Sequence, residues 1–142
     1  MKQPGKKGND VMPPTNSLSE EVPTAHKTVL IIEDDASIGA CLVQAIVEET
    51  PYLAFFVTDS LHALEVVEDL KPDLLVIDYR LPHMNGLELY DRIHAQKVLD
   101  DIPGIVISAE LPLHETQKRH LIGMQKPFDL DELLNTIQEL LS

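Results

Sequence analysis

The chain is short of cysteine, of positive charge and of long apolar runs, and each shortage removes a class of protein. A single cysteine, Cys41, excludes an internal disulfide and a cysteine-rich zinc site, and it fits a reducing compartment. Eleven Lys and Arg stand against 24 Asp and Glu, for a net charge of -13. A surface this acidic repels phosphate backbones, which argues against direct nucleic-acid binding. No apolar run approaches the ~20 residues of a membrane span, and the first 27 residues lack the apolar stretch of a signal peptide. The expectation is a cytoplasmic protein without membrane insertion. There is no internal repeat.

What is present divides in two. Residues 1–27 hold Pro4, Pro13, Pro14 and Pro23 among Gly, Asn and Ser, with little aliphatic content. That composition predicts a flexible tail. Four lysines and three acids lie in it, so the excess of acid belongs to residues 28–142. This second stretch is long enough for one domain with one sizeable core.

From Thr28 onward, short apolar runs alternate with helical periodicity. Thr28 to Ile32, Leu74 to Ile77 and Gly104 to Ile107 are nearly continuous apolar runs, as strands covered on both faces require. Leu53 to Val57 predicts a further strand and Leu121 to Met124 a weaker fifth. Between them, Ile38, Leu42, Ala45 and Ile46 share a helix face. Ser60 is placed to cap a helix carrying Ala63, Leu64, Val67 and Leu70, ended by Pro72. Leu87, Tyr90, Ile93 and His94 mark a third helix. Leu130 to Leu141 marks a last one, opened by Asp129 or Asp131. Alternation of this kind predicts a doubly wound α/β fold with a parallel sheet and right-handed crossovers.

Ligands of such sheets bind outside the carboxyl ends of the strands, at the switch point. Glu33-Asp34-Asp35 follows the first run. Asp78 closes the third, ahead of a Pro/Asn/Gly loop ending at Asn85-Gly86. Ser108-Ala109 follows the fourth, and Lys126-Pro127-Phe128 the fifth. Singly, such residues are helix caps, turn residues or solvated charges; together they place acids, a hydroxyl and a lysine at one end of the sheet. Cys41 is predicted to be core, and the histidines show no ligand spacing.

The acidic pair Glu33-Asp34, the segment Asp78 to Gly86, Ser108-Ala109 and Lys126-Pro127-Phe128 resemble the receiver domain of bacterial response regulators, over about Thr28 to Ser142. The separations of 44 residues from Asp34 to Asp78 and 30 from Asp78 to Ser108 fit that family. The resemblance implies a flavodoxin-like, five-stranded sheet of order 2-1-3-4-5. It implies Asp78 as acceptor of a phosphoryl group from phosphohistidine, with Ser108 and Lys126 contacting that group. It also implies Mg²⁺ held by Asp34, Asp78 and the Arg80 backbone carbonyl, with Glu33 acting mainly through water. A crowd of carboxylates awaiting a further dianion calls for such a cation. A cis Lys126-Pro127 peptide is also implied. The partners implied are a histidine kinase or histidine phosphotransfer protein, and an output protein. No effector domain follows the last helix, so the expectation is a single-domain regulator acting by protein contact and not as an enzyme.

Two departures from that pattern stand out. Lys126 lies only 18 positions past Ser108, and Pro112 stands between them, which predicts a short or irregular fourth helix. Gly123 stands where receivers carry an aromatic residue or histidine that moves with the switch hydroxyl. The usual output face is therefore open to question. Arg80 and Glu110, each two residues past a site position, are placed to pair across the mouth. The competing readings are a receiver-like binding scaffold and an aspartyl-phosphate phosphatase. The second lacks its usual acid two residues past the nucleophile, where Arg80 stands.

Overall fold

In the computed structural model, which describes residues 26–96 and 101–142, the apolar runs become five parallel strands. They are β1 (Thr28–Ile32), β2 (Leu53–Val57), β3 (Leu74–Asp78), β4 (Gly104–Ser108) and β5 (Ile122–Gln125), in the order β2-β1-β3-β4-β5. The helices between and after them are α1 (Ala36–Glu49), α2 (Ser60–Leu70), α3 (Gly86–His94), α4 (Leu113–Lys118) and α5 (Leu130–Leu141). The expected residues 1–27 tail lies almost wholly outside the described residues.

Strand position explains strand composition. β3 and β4 are buried at every residue, because helices cover both faces of the central sheet. The edge strand β2 exposes Leu53 and Phe55, and the opposite edge β5 buries only Met124. Successive side chains of the inner strands enter two separate cores. Leu30, Ile32, Leu75, Ile77 and Val106 pack with α2 and α3. Val29, Ile31, Val76, Ile105 and Ile107 pack with α1 and α5. Each fully buried Leu or Ile contributes roughly 1.5–3 kcal/mol. These layers hold the strand ends rigid.

Several local expectations are corrected. Asp59, not Ser60, caps α2, its Oδ1 accepting from the Leu61 N–H at 2.7 Å. Ser60 is the first helical residue, fully buried, and its hydroxyl donates to the Pro82 carbonyl at 2.8 Å. That bond ties α2 to the loop after β3. Cys41 is exposed, since it lies beside the buried stripe of α1 and not within it. Ile38 is also exposed, and α1 buries Gly39, Leu42 and Ile46 instead. His94 is exposed and stacks on the Tyr90 ring. Leu121 precedes β5 and turns into the α2–α3 layer. Asp129 caps α5. The fourth helix is short as expected, at six residues.

Candidate functional site

The sheet reverses its winding between β1 and β3, and their carboxyl ends carry Glu33, Asp34 and Asp78. One carboxylate oxygen from each lies within 4.8 Å of the others. Glu33 and Asp78 are 5% and 6% exposed, while Asp34 is open to solvent. Lys126, which follows β5, brings its Nζ to 3.4 Å from Asp78 Oδ2. Its backbone N–H donates to the Ser108 carbonyl at 2.9 Å, which fixes the lysine beside the end of β4.

The loop after Asp78 is built to present it. The Arg80 N–H donates to Asp78 Oδ1 at 3.2 Å. The Gly86 N–H returns to the Tyr79 carbonyl at 2.7 Å. A Cβ at Gly86 would stand 2.7 Å from the Asp78 carbonyl oxygen and 2.8 Å from Ile77, so only glycine permits this approach. Asn85 then opens α3 with a reciprocal cap: its side chain accepts from the Glu88 N–H, and Glu88 accepts from the Asn85 N–H.

The electrostatics of the cluster are unbalanced. Burial pushes the Glu33 carboxyl up to about 7, against the Asp35 N–H that donates to it, and the charge of Asp78 pushes the same way. Three carboxylates face one lysine. Their hard oxygen donors suit a small divalent cation, and no softer ligand joins them. Among the described residues no other group of His, Cys, Asp and Glu meets the same geometry.

Ser108 is buried at the end of β4, but its hydroxyl is engaged elsewhere. It donates to the Glu110 carbonyl at 3.0 Å and accepts from the Glu110 N–H at 3.1 Å. Arg80 and Glu110 do meet across the mouth, at 3.9 Å, with side chains 77% and 88% exposed. The Lys126-Pro127 peptide is cis. Sequence reasoning did not find the cleft of about 520 Å³ beside the acids, where Ile38, Leu42, Ala109 and Phe128 flank Glu33 and Lys126. The sequence held no signal for it, because the helical pattern assigns Ile38 to the buried face, whereas the fold leaves it exposed.

This arrangement is that of a phosphoryl-accepting receiver. The sequence pattern of the response regulator receiver domain matches residues 29–138, and the chain belongs to that family. It is 30% identical over 121 residues to the sporulation initiation phosphotransferase F of Bacillus subtilis, covering 82% of this chain and 94% of that one. It is 34% identical over 84 residues to the phosphate regulon transcriptional regulatory protein PhoB of Pseudomonas aeruginosa, of which it spans only 36%. Among solved structures, the chemotaxis protein CheY4 of Vibrio cholerae shares the fold with a TM-score of 0.74 at 24% identity, over 82% of this chain and 99% of that one. The Francisella response regulator 1452 receiver domain matches with a TM-score of 0.72 at 25% identity, over 81% and 96%. Receivers are signalling proteins of two-component systems and bind Mg²⁺ at an acidic pocket. No described helix is long and apolar enough to cross a membrane.

Proposed function

We propose that Asp78 accepts a phosphoryl group from a phosphohistidine and that the domain passes on this event by contact with other proteins in the cytoplasm. The observation that carries the reading is the buried Asp78 carboxylate, with Lys126 at 3.4 Å and two further carboxylates beside it. An Asp78 oxygen attacks phosphorus, the P–N bond breaks, and the imidazole leaves with the electron pair. Lys126 is placed to offset charge on the phosphoryl oxygens, and the Arg80 N–H holds the Asp78 carboxylate in position. Glu33, Asp34 and Asp78, with the Arg80 carbonyl, would hold Mg²⁺. When bound, that ion supplies the neutralisation that lets a phosphorylated donor approach an acidic pocket.

The partners in this reading are a histidine kinase or histidine phosphotransfer protein and an output protein. The match along nearly the whole of the Bacillus phosphotransferase supports a role as a relay or switch through the receiver itself. Incubation with acetyl phosphate and Mg²⁺ is expected to add one phosphoryl group by intact mass, and Asp78→Asn to abolish the addition. An unlabelled wild-type chain would favour the scaffold reading instead. Turnover of a small phosphoester would favour the phosphatase.

A further inference from the structure

The segment between Ser108 and α4 is a strap of four residues, Ala109 to Pro112, and both its ends are held. At the start, the Ser108 hydroxyl is closed on the backbone of Glu110 through both of its hydrogen-bonding functions. At the far end, the Pro112 carbonyl accepts from the N–H and the hydroxyl of Thr116, a buried residue. α4 itself is fastened to α3: Arg119 donates to both Asp91 carboxylate oxygens at 2.8 Å and to Glu115 at 3.1 Å. Within the strap, the Ala109 carbonyl accepts from Gln125 Nε2 at 3.2 Å and the Leu111 carbonyl from the Leu113 N–H at 2.9 Å.

In the middle of the strap, Leu111 lies over β5 at Gly123. A methyl group at Gly123 would stand 3.2 and 3.3 Å from the two Cδ atoms of Leu111 and 3.6 Å from Thr116 Cγ2. Carbon atoms pack best at about 3.5–4.0 Å. With glycine at 123, Leu111 sits a few tenths of an ångström closer to β5 than an alanine there would allow without a shift. What glycine provides here is room and not backbone conformation, since Gly123 is not in the left-handed region.

Leu111 adjoins Glu110, whose peptide groups occupy the Ser108 hydroxyl. We propose that Leu111, seated on Gly123, is a positioning residue that sets how readily Ser108 is released toward Asp78. This proposal rests on the reading of Asp78 as phosphoacceptor. For the hydroxyl to reach a phosphoryl oxygen, Glu110 must let go of it. The strap then shifts and Leu111 leaves its seat. The Gly123 gap is thus filled from the β4–α4 segment, and one side chain couples the Ser108 hydroxyl to the surface of β5.

The test uses the full chain with Gly123→Ala, which crowds the seat, and Leu111→Ala, which empties it. Each is made with Ser108 intact and in Ser108→Ala. The first readout is hydrogen exchange at the Glu110 amide, the donor to Ser108 Oγ. Both variants are expected to speed it about threefold or more, toward the rate of Ser108→Ala, as a shifted two-state population requires. The second readout is the rate of phosphoryl uptake from acetyl phosphate with Mg²⁺. It is expected to change in the same direction in both variants and not at all when Ser108 is alanine. Unchanged Glu110 exchange in both variants would overturn the proposal. So would opposite shifts in the two, or a rate effect that persists in Ser108→Ala. A wild-type chain that takes up no phosphoryl group defeats the phosphoacceptor reading alone, and the exchange measurement still decides whether Leu111 positions Ser108.

Discussion

Two groups of carboxylates in this protein are built from the same residue types and behave in opposite ways. At the β1–β3 end, Glu33, Asp34 and Asp78 lie together with a single lysine, Lys126, at 3.4 Å from Asp78, and Glu33 is pushed up to about 7. Between α3 and α4, Asp91 and Glu115 share Arg119, whose guanidinium bonds hold both carboxyls below their ordinary range. The second group is complete as it stands: a planar donor meets a carboxylate through two bonds, a geometry that holds helices together. The first leaves an excess of negative charge in a pocket where burial opposes the ionisation of Glu33, and on the proposed function a cation and a phosphoryl group would restore the balance.

The largest effect that would break the comparison is loss of phosphoryl uptake. Asp78→Asn is expected to abolish labelling by acetyl phosphate, whereas Asp91→Asn is expected to leave it near the wild-type level. Labelling that survives in Asp78→Asn would show that the unbalanced cluster is not the acceptor. Next in size is the response to Mg²⁺. A cation that binds only the folded chain stabilises it by about 2.7 kcal/mol at a hundredfold excess over Kd. Thermal melting should therefore rise with Mg²⁺ in the wild type and in Asp91→Asn, and stay flat in Asp34→Asn. A rise retained in Asp34→Asn would place the cation elsewhere.

Without the cation, the two groups should answer neutralisation with opposite signs. Arg119→Ala removes the two-bond pair with Asp91 and is expected to cost about 1 kcal/mol, less than a buried charge-assisted bond because that carboxylate is half exposed. Glu33→Gln removes a charge that burial disfavours and is expected to leave the melting temperature unchanged or raised. Acid provides a second check. Asp91 is depressed chiefly by its hydrogen bonds to Arg119, so its contribution is fully present above its unfolded value of 3.8 and is lost as pH falls through the lower folded value. The gap in stability between wild type and Arg119→Ala should hold from neutral pH to about 4 and narrow below that. A gap that closes already between pH 7 and 5 would remove Asp91 as its source.

The two groups also differ in how visible they are in sequence. The acids at the ends of β1 and β3 could be read because each ends an apolar run, and strand ends converge in a doubly wound sheet. The strands and the brevity of α4 were legible because apolar runs and a proline mark them, whereas the strand order followed only from the resemblance to receivers. The Arg119 group was not, because Asp91 and Arg119 lie 28 residues apart on elements whose relative placement no periodicity encodes. Ser60 was misread as a cap because its neighbour Asp59 does that work, while its hydroxyl serves a loop 22 residues away. Cys41 and Ile38 were misplaced because α1 buries a stripe narrower than its apolar residues suggest. The absence of a side chain at Gly123 was plain in the sequence. That Leu111 fills the space depends on the path of the strap, which only the fold determines.

The smallest expected effect concerns the pair that belongs to neither group. Arg80 and Glu110 approach to 3.9 Å at the mouth of the pocket, almost fully exposed, and such pairs are worth only ~0.2–1 kcal/mol. Stability should barely register either substitution. The lifetime of the phosphorylated form is a more sensitive reporter, because the cation of Arg80 is two residues from Asp78, the proposed acceptor, and Glu110 competes for it. Glu110→Gln frees the guanidinium to face the phosphoryl oxygens and is expected to lengthen the lifetime. Arg80→Ala removes that charge and is expected to shorten it. Each change should stay below about fivefold, the rate equivalent of ~1 kcal/mol, and shrink at high salt as an exposed interaction does. Decay of the phosphorylated mass at low and high ionic strength measures both. Equal decay rates in the wild type and the two variants would mean that the exposed pair is as inert as its exposure alone suggests, and that the contrast between the charge groups ends at the pocket wall.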